Sequence, residues 1–224
     1  MIVFQDVRFR YPGSDAFALD VPELRIGEGE KIALVGPSGS GKTTIVSLIA
    51  GILSPERGSI VVDDVALERA DDSARRVFRL RRIGLVFQEF ELLEYLSATE
   101  NILLPYFLDG TMLLEDKTWV AVRELAARCG LSDKLDRLPA ELSQGERQRV
   151  AICRALVMKP KLLIADEPTA NLDSVNAATA MDILIEFSRR DKITCIVITH
   201  DKQLLPAFDR VIDVSRFSGL RGAP

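Results

Sequence analysis

Four short, mostly apolar runs constrain the fold of this chain more than any other feature of its sequence. They are Lys31–Val35, Ile83–Phe87, Leu162–Ala165 and Ile193–Thr199. Strands that are apolar at consecutive positions are typical of a parallel sheet covered on both faces. Helical patterns separate the runs, so we predict an α/β fold. Ligands of such sheets bind beyond the carboxyl ends of the strands, and each run is followed there by a glycine or a polar residue.

The first run leads directly into a phosphate-binding motif. GPSGSGKT, residues 36–43, fits G-x-x-x-x-G-K-[ST] and precedes a predicted helix over Thr44–Ile52. We expect backbone N–H groups of residues 38–43 to hold the phosphates of a nucleoside triphosphate, with Lys42 on the β- and γ-phosphates and Thr43 on Mg²⁺. A glycine-rich turn without a ligand is the alternative, and the strand and helix on either side argue against it. The nucleotide-binding residues predicted here are Gly36, Pro37, Ser38, Gly39, Ser40, Gly41, Lys42, Thr43 and Thr44.

The third and fourth runs end in residues that suit phosphate chemistry. Asp166 is predicted to hold Mg²⁺, and Glu167 after it to act on the attacking water as a general base. His200, the only histidine, follows the fourth run. Each has a plain alternative, a solvated turn for the two acids and a packing role for the histidine. Their common position at strand ends, beside a phosphate-binding loop, favours the functional reading.

A long helical segment precedes the third run. LSQGERQRVAICRALVMKP, residues 142–160, starts with an S-x-x-E capping box formed by Ser143 and Glu146, and Pro160 lies just past the predicted helix end. An ordinary capped helix explains this pattern. The same capped end also presents free N–H groups, which are a phosphate-binding surface.

At this segment the chain resembles the ATP-binding-cassette (ABC) ATPases, and the resemblance covers essentially its full length. The signature sequence of that family is close to LSGGQ, and LSQGE is a variant of it. Gln144 and Glu146 depart from the family pattern, whereas Ser143 and Gly145 match it. The resemblance implies that Ser143 and Gly145 close over the γ-phosphate of an ATP bound by Lys42 of a second copy.

Further family marks follow along the chain. The resemblance implies that Tyr11 stacks on adenine, that Gln88 is the Q-loop residue and serves the metal, that Asp173 lies in the D-loop, and that His200 is the switch histidine. The catalytic residues it implies are Glu167, His200, Lys42 and Gln88, and the metal residues are Thr43, Gln88 and Asp166. Outside the family context, Tyr11 reads as an ordinary strand aromatic, Gln88 as a surface residue and Asp173 as a helix N-cap.

The family also implies an architecture. We expect one ABC ATPase domain over residues 1–224, a P-loop NTPase with a RecA-like parallel-sheet core and an N-terminal antiparallel β lobe in residues 1–88 and 159–224. A helical subdomain that carries the signature is expected in residues 89–158. The implied ligands are ATP and Mg²⁺, and the implied partners are a second copy of the chain and integral membrane permease subunits that contact residues 88–105.

The segment Phe87–Pro105 is most similar to the branch that contains the lipoprotein-release, macrolide-export and cell-division ATPases. Glu94, where a proline is commoner in that branch, is a departure. We therefore expect export or mechanotransmission, with a cargo-free mechanotransmitter and a soluble ABC ATPase of DNA repair or translation as alternatives. A P-loop kinase of small molecules is disfavoured because it has no use for the signature helix.

Composition limits the remaining possibilities. The formal net charge of −4 gives no reason to expect a nucleic-acid partner. The three widely spaced cysteines predict buried apolar side chains in a reducing compartment. Without a signal peptide or an apolar window of about 20 residues, we expect a cytoplasmic protein on the inner face of the membrane. The arginines at 75, 76, 79, 81 and 82 predict a solvated helix face, with anionic lipid or an acidic partner as the alternative.

Overall fold

The computed structural model describes residues 1–13 and 17–218. These residues contain nine strands and six α-helices. The strands are β1 (Ile2–Arg10), β2 (Ala18–Ile26), β3 (Lys31–Val35), β4 (Arg57–Val62), β5 (Val65–Ala66), β6 (Ile83–Val86), β7 (Leu162–Asp166), β8 (Thr194–Ile198) and β9 (Arg210–Asp213). The helices are α1 (Lys42–Ile49), α2 (Asp72–Arg82), α3 (Ala98–Asp109), α4 (Asp116–Arg128), α5 (Gln144–Leu156) and α6 (Ser174–Asp191).

The four apolar runs form neighbouring strands of one five-stranded sheet. Its order is β6-β7-β8-β3-β9, and every pair in it is parallel. β3 and β8 are buried along almost their whole length, because helices cover both faces of the sheet. The α/β prediction is therefore confirmed. The edge strand β9 was not predicted, since three of its four residues are exposed and give no apolar run.

A second, antiparallel sheet lies against this core in the order β2-β1-β4-β5. β1 buries Ile2, Phe4, Val7 and Phe9, the alternation expected of a sheet with one buried face, interrupted once by a shift of register between Gln5 and Arg8. These side chains join one hydrophobic cluster with α1 and the residues of the parallel sheet that point the same way. The expected antiparallel lobe is confirmed.

The chain between β6 and β7 contains α3, α4 and α5. Together with α6 and the opposite face of the parallel sheet, these helices enclose the second hydrophobic cluster. At Gly84 on β6, an added Cβ would lie 2.3 Å from the Ala155 carbonyl oxygen of α5. Strand and helix backbones are therefore in direct contact, and this contact fixes the height of α5 above the sheet.

Four of the five arginines of α2 contact neighbouring segments, and Arg76 pairs within the helix. Arg79 donates to the Gly51 carbonyl at 2.9 Å, and Arg81 forms a bidentate pair with Asp109 at the end of α3, at 2.6 and 2.9 Å. The other three pair with Ser54 (Arg75), Asp72 (Arg76) and Asp63 (Arg82). Arg76, Arg81 and Arg82 are exposed, as expected of a solvated face, and the row also ties α2 to the end of α1 and to α3.

The three cysteines are buried and unoxidised, as predicted. Burial raises the pKa of Cys195 to about 12, which leaves its thiol uncharged at neutral pH. Among the helices of residues 1–13 and 17–218, none is long and apolar enough to cross a bilayer.

The contact between β6 and α5 predicts the effect of Gly84→Ala. The new methyl group has to displace the backbone of α5, so we expect the free energy of unfolding to fall by about 2 to 3 kcal/mol, as for overpacking in a core. Gly27→Ala is the matched control, because a Cβ there meets its nearest neighbour at an ordinary 3.5 Å. Urea denaturation of both variants measures the difference, and equal stabilities would mean that α5 is free to shift.

Candidate nucleotide-binding site

The predicted site residues meet at the carboxyl edge of the parallel sheet. The loop of residues 36–41 follows β3, Asp166 ends β7, and His200 follows β8. β8 is hydrogen-bonded to both β3 and β7, so these three segments lie side by side. Gln88 follows β6, the neighbour of β7 on the other side.

Glycines shape the loop between β3 and α1. Gly36 has φ +147°, and an added Cβ there would lie 2.7 Å from Ser40 Oγ, while Gly41 caps α1 in the left-handed conformation with φ +97°. Side chains at these positions would block or strain the turn. Lys42 Nζ donates to the carbonyl oxygens of Gly36 and Pro37 at 2.8 and 3.0 Å, so the ammonium group lies across the loop. Helix α1 starts at Lys42, two residues earlier than expected.

Two aromatic residues lie beside this loop. The Tyr11 hydroxyl is 3.0 Å from Thr44 Oγ1 on α1, and its ring packs edge-on against Phe9 with centroids 4.9 Å apart. Phe17 approaches so closely that a Cβ at Gly41 would lie 2.8 Å from its Cζ atom. Tyr11 is therefore attached to the loop helix and partly exposed beside it. No local pattern indicated Phe17, because its proximity to Gly41 arises from the fold.

Asp166, Thr43, Lys42 and Glu167 form one electrostatic group. Burial raises the pKa of Asp166, and the nearby charge of Glu167 raises it further, while Lys42 and a hydrogen bond from Thr43 oppose that rise. Two carboxylates, one ammonium group and one hydroxyl thus lie close enough to influence one another. Oxygen ligands for a divalent cation and a positive charge for a triphosphate are the groups expected at such a site.

Glu167 and His200 are in direct contact. His200 Nδ1 lies 3.1 Å from Glu167 Oε2, and the Glu167 N–H donates to the Ile198 carbonyl of β8 at 3.1 Å. Glu167 also has φ +44°, a left-handed backbone that turns the chain sharply at the strand end. The His200 side chain is 74% exposed, which contradicts the packing alternative.

Helix α5 contacts the segments that follow β6 and β7. Arg154 donates to the carbonyl oxygens of Phe90 and Glu91, with 2.6 Å to Phe90, and the buried Gln148 donates to the Pro168 carbonyl at 2.7 Å. Asn171 Nδ2 donates to the Gln88 carbonyl at 3.2 Å, and Gln88 itself is exposed. These links between distant segments were not predicted.

The amino end of α5 is capped as the sequence predicted. Ser143 Oγ accepts from the Glu146 N–H at 3.3 Å, and Glu146 Oε2 accepts from the Ser143 N–H at 2.8 Å. Gly145 is buried against Asn176 of α6, whose Oδ1 would lie 2.0 Å from an added Cβ.

Asp173 is the N-cap of α6, where it accepts from the N–H groups of Val175 and Asn176. Asn176 Nδ2 also donates to Asp173 Oδ2 at 2.7 Å. Because Asn176 packs against Gly145 as well, it links Asp173 at the start of α6 to the amino end of α5.

Comparison with known proteins agrees with this geometry. Residues 19–170 match the family model described as "ABC transporter". The chain is 41% identical over 190 residues to the lipoprotein-releasing system ATP-binding protein LolD of Pseudomonas fluorescens, which covers 85% of this chain and 83% of that protein. It is 40% identical over 207 residues to the methionine import ATP-binding protein MetN 1 of the same species, covering 92% of this chain and 61% of MetN 1. Among solved structures, a dimeric post-hydrolysis state of the cassette MJ0796 bound to ADP and Pi matches with a TM-score of 0.84 and 30% identity over the whole of both chains.

The exposure and the contact of His200 predict separate effects on stability and activity. His200→Ala removes one largely exposed contact with Glu167, so the free energy of unfolding should change by less than about 1 kcal/mol. ATP turnover should fall about 100-fold, the scale for loss of one preorganised group at a reacting phosphate. Urea denaturation and a phosphate-release assay give the two values, with the exposed Lys202→Ala on the same segment as control. A variant that is several kcal/mol less stable but fully active would restore the packing interpretation.

Proposed function

This chain belongs to the ABC transporter family, and from that premise we propose that two copies of it enclose two ATP molecules and drive separate membrane subunits. It is the ATP-binding subunit of an ABC transporter and hydrolyses ATP. The observation that carries the proposal is the match over the whole chain to a cassette whose dimer holds ADP and Pi. The exposed amino end of α5 gives this chain a surface that such a dimer can use.

We assign the triphosphate to residues 36–44. Backbone N–H groups at the start of α1 hold the phosphate oxygens, and Lys42 exchanges its two carbonyl contacts for the β- and γ-phosphates. In the described part of the chain, the buried Ser40 Oγ has no hydrogen-bond partner, so it is available to the bound nucleotide. Tyr11, attached to Thr44 and partly exposed, is the aromatic face proposed for adenine.

The residues around Asp166 fit Mg²⁺. A bound magnesium ion keeps several waters and takes one or two protein ligands plus phosphate oxygens, and it spreads the negative charge of the reacting phosphate. The Thr43 hydroxyl lies close enough to Asp166 to lower the pKa of that carboxyl, and the two side chains supply two such oxygen ligands. The Gln88 side chain, exposed at the end of β6, is the third group that we assign to the metal.

Glu167 and His200 are proposed to divide the chemistry of hydrolysis. Glu167 takes the proton that the attacking water loses, and His200 contacts the γ-phosphate. A neutral imidazole that donates from Nδ1 to Glu167 can only accept at Nε2. Donation to a phosphate oxygen therefore requires either a doubly protonated ring or release of the Glu167 contact. We propose that release, because it also frees the Glu167 carboxylate to bind water.

The same proposal divides the chain into two parts. The described residues of 1–88 and 159–224 are assigned to the catalytic core with the antiparallel lobe, and residues 89–158 to the helical signature subdomain, while residues 14–16 and 219–224 lie outside the described part. Ser143 and Gly145 of one copy then cover the γ-phosphate in the other, while Asp173 faces the partner across the dimer. When the dimer closes and α5 shifts, the contacts of α5 with Pro168 and Phe90 would transmit that shift to the catalytic residues.

A groove between α2 and α3 is the proposed docking site for the membrane subunits. It has a volume of about 610 Å³ and is mainly apolar, and Phe87 and Glu91 lie at its Q-loop end. Its charged lining residues are Arg76, Arg79, Arg154 and Glu91. This net positive charge suits a segment of the membrane subunit that is apolar and flanked by acidic residues. The principal apolar residues of the groove are Leu80, Leu85, Phe87, Leu104, Leu108 and Met158. This contact would hold the protein on the cytoplasmic face of the membrane.

Export and mechanotransmission remain the two modes that we propose. LolD is named for lipoprotein release, which favours the export branch, whereas MetN 1 is named for import. A cargo-free mechanotransmitter uses the same ATP cycle and the same groove. Purification of the complex with its membrane subunits, followed by a transport assay in vesicles, distinguishes the two modes.

The role of Glu167 predicts the behaviour of Glu167→Gln. The amide keeps the size of the side chain but cannot accept the proton, so hydrolysis should slow by roughly 10²- to 10⁴-fold. ATP should then hold the variant as a dimer, measured by light scattering after size-exclusion chromatography. The double variant Lys42→Ala/Glu167→Gln is the control and should stay monomeric, because it lacks the ammonium group in the phosphate loop. If the Glu167→Gln variant hydrolyses ATP at the wild-type rate, Glu167 is not the general base.

The groove predicts a separate effect of Leu108→Asp. Leu108 is 66% exposed and lines the groove, so the charge should disturb docking without disturbing the fold or basal ATP hydrolysis. Leu113→Asp is the matched control, because Leu113 is 80% exposed but lies outside the groove. We expect the Leu108→Asp protein to be lost from the membrane fraction of host cells, and the Leu113→Asp protein to remain in that fraction. Equal membrane retention would contradict the docking site.

A further inference from the structure

The signature helix carries a negative charge at the surface that is proposed to receive a phosphate. Glu146 stands where the family signature has glutamine, and its Oε2 accepts from the Ser143 N–H at 2.8 Å. The Ser143 hydroxyl is bonded in turn to the Glu146 N–H. The hydrogen bond from the Ser143 backbone holds the pKa of Glu146 below its usual range, so the carboxylate is ionised at neutral pH.

This charge opposes the proposed closure of the dimer. A γ-phosphate held by Ser143 lies well within one Debye length of the Glu146 carboxylate, about 8 Å at physiological ionic strength. Two negative groups at that distance repel each other, and the closing surfaces exclude water that would otherwise screen them. A cation beside Glu146 would reduce the repulsion.

Lys134 is that cation. Its Nζ lies 3.5 Å from Glu146 Oε1 and 3.2 Å from Asp133 Oδ2, and its side chain is 25% exposed. The turn around Lys134 is fixed by two backbone hydrogen bonds. The Lys134 N–H donates to the Leu131 carbonyl, and the Lys134 carbonyl accepts from the Arg137 N–H.

A nearby arginine does not take this role. Arg147 is engaged elsewhere, because its Nε donates to the carbonyl oxygens of Pro139 and Leu142, at 2.7 and 3.2 Å. The position of Lys134 therefore matches the oxygen of Glu146 that the capping box leaves free.

We propose that Lys134, which Glu146 shares with the exposed Asp133, is a positioning residue of the signature that offsets part of the charge of Glu146, so that this surface accepts the γ-phosphate of ATP bound by a second copy. The inference rests on the proposed ATP-bound dimer. It assigns Lys134 to the affinity of dimer closure and gives it no part in nucleotide binding by the single chain. It also explains how a glutamate is tolerated at position 146.

The test uses the Glu167→Gln chain, whose ATP-bound dimer should be stable enough to measure. Sedimentation velocity with ATP gives the dimer dissociation constant, and titration with a fluorescent ATP analogue gives the affinity of the single chain. Lys134→Ala should weaken the dimer by about 4- to 25-fold, because each of the two symmetric sites loses about 2- to 5-fold, the range for a partly exposed ion pair. Nucleotide affinity of the single chain should stay within 2-fold.

Three further variants separate charge from structure. Lys134→Arg should restore closure, and Glu146→Gln, which keeps the capping box, should make Lys134→Ala harmless in the double variant. Lys117→Ala is the matched control, since it removes a lysine from an exposed pair with Glu115 and makes the same change in net charge. The weakening by Lys134→Ala should also shrink as salt increases, because added ions screen the repulsion.

Two results would overturn the inference while the proposed function stands. One is a Lys134→Ala dimer as tight as the Lys117→Ala dimer. The other is equal weakening by Lys134→Ala with glutamate and with glutamine at position 146, which would indicate a structural role. If the Glu167→Gln chain does not dimerise with ATP at all, the proposed dimer fails, and this inference fails with it.

Discussion

The contact between α5 and the parallel sheet is the constraint on which the rest of the site depends. At Gly84 the strand and helix backbones touch, so α5 cannot approach the sheet further. From that fixed height, Arg154 reaches the carbonyl of Phe90 and Gln148 reaches that of Pro168. Both bonds are side chain to backbone, and therefore they hold the path of the chain after β6 and β7 whatever side chains those segments carry. A tilt of α5 has to move both segments together.

Much of the fold and of the site could be predicted from the sequence because the signals are local. A buried parallel strand is apolar at consecutive positions, a phosphate loop needs its glycines, and a capping box needs two residues three apart. The predicted strands consequently match the observed ones to within a residue or two at each end, and the capping box of Ser143 is present. The roles of Tyr11, Gln88 and Asp173 come from family resemblance and stay predictions.

What the sequence left out depends on residues that are far apart along the chain. The edge strand β9 lacks an apolar pattern because three of its four residues face solvent. Phe17 reaches the phosphate loop because β2 returns beside β1, which no local pattern indicates. The arginines of α2 looked like a solvated face, since partners such as Asp109 lie in other segments. Tertiary contacts of this kind are chosen by the fold and cannot be inferred from spacing.

The contact between Gly145 and Asn176 has a consequence for how sequences of this kind can diverge. An alanine at position 145 would overlap the Asn176 amide, so Asn176 would have to turn away or be replaced by a smaller residue. Either change gives up the hydrogen bond from the Asn176 amide to Asp173. Glycine at position 145 and the bond between positions 176 and 173 are therefore expected to be kept or lost together.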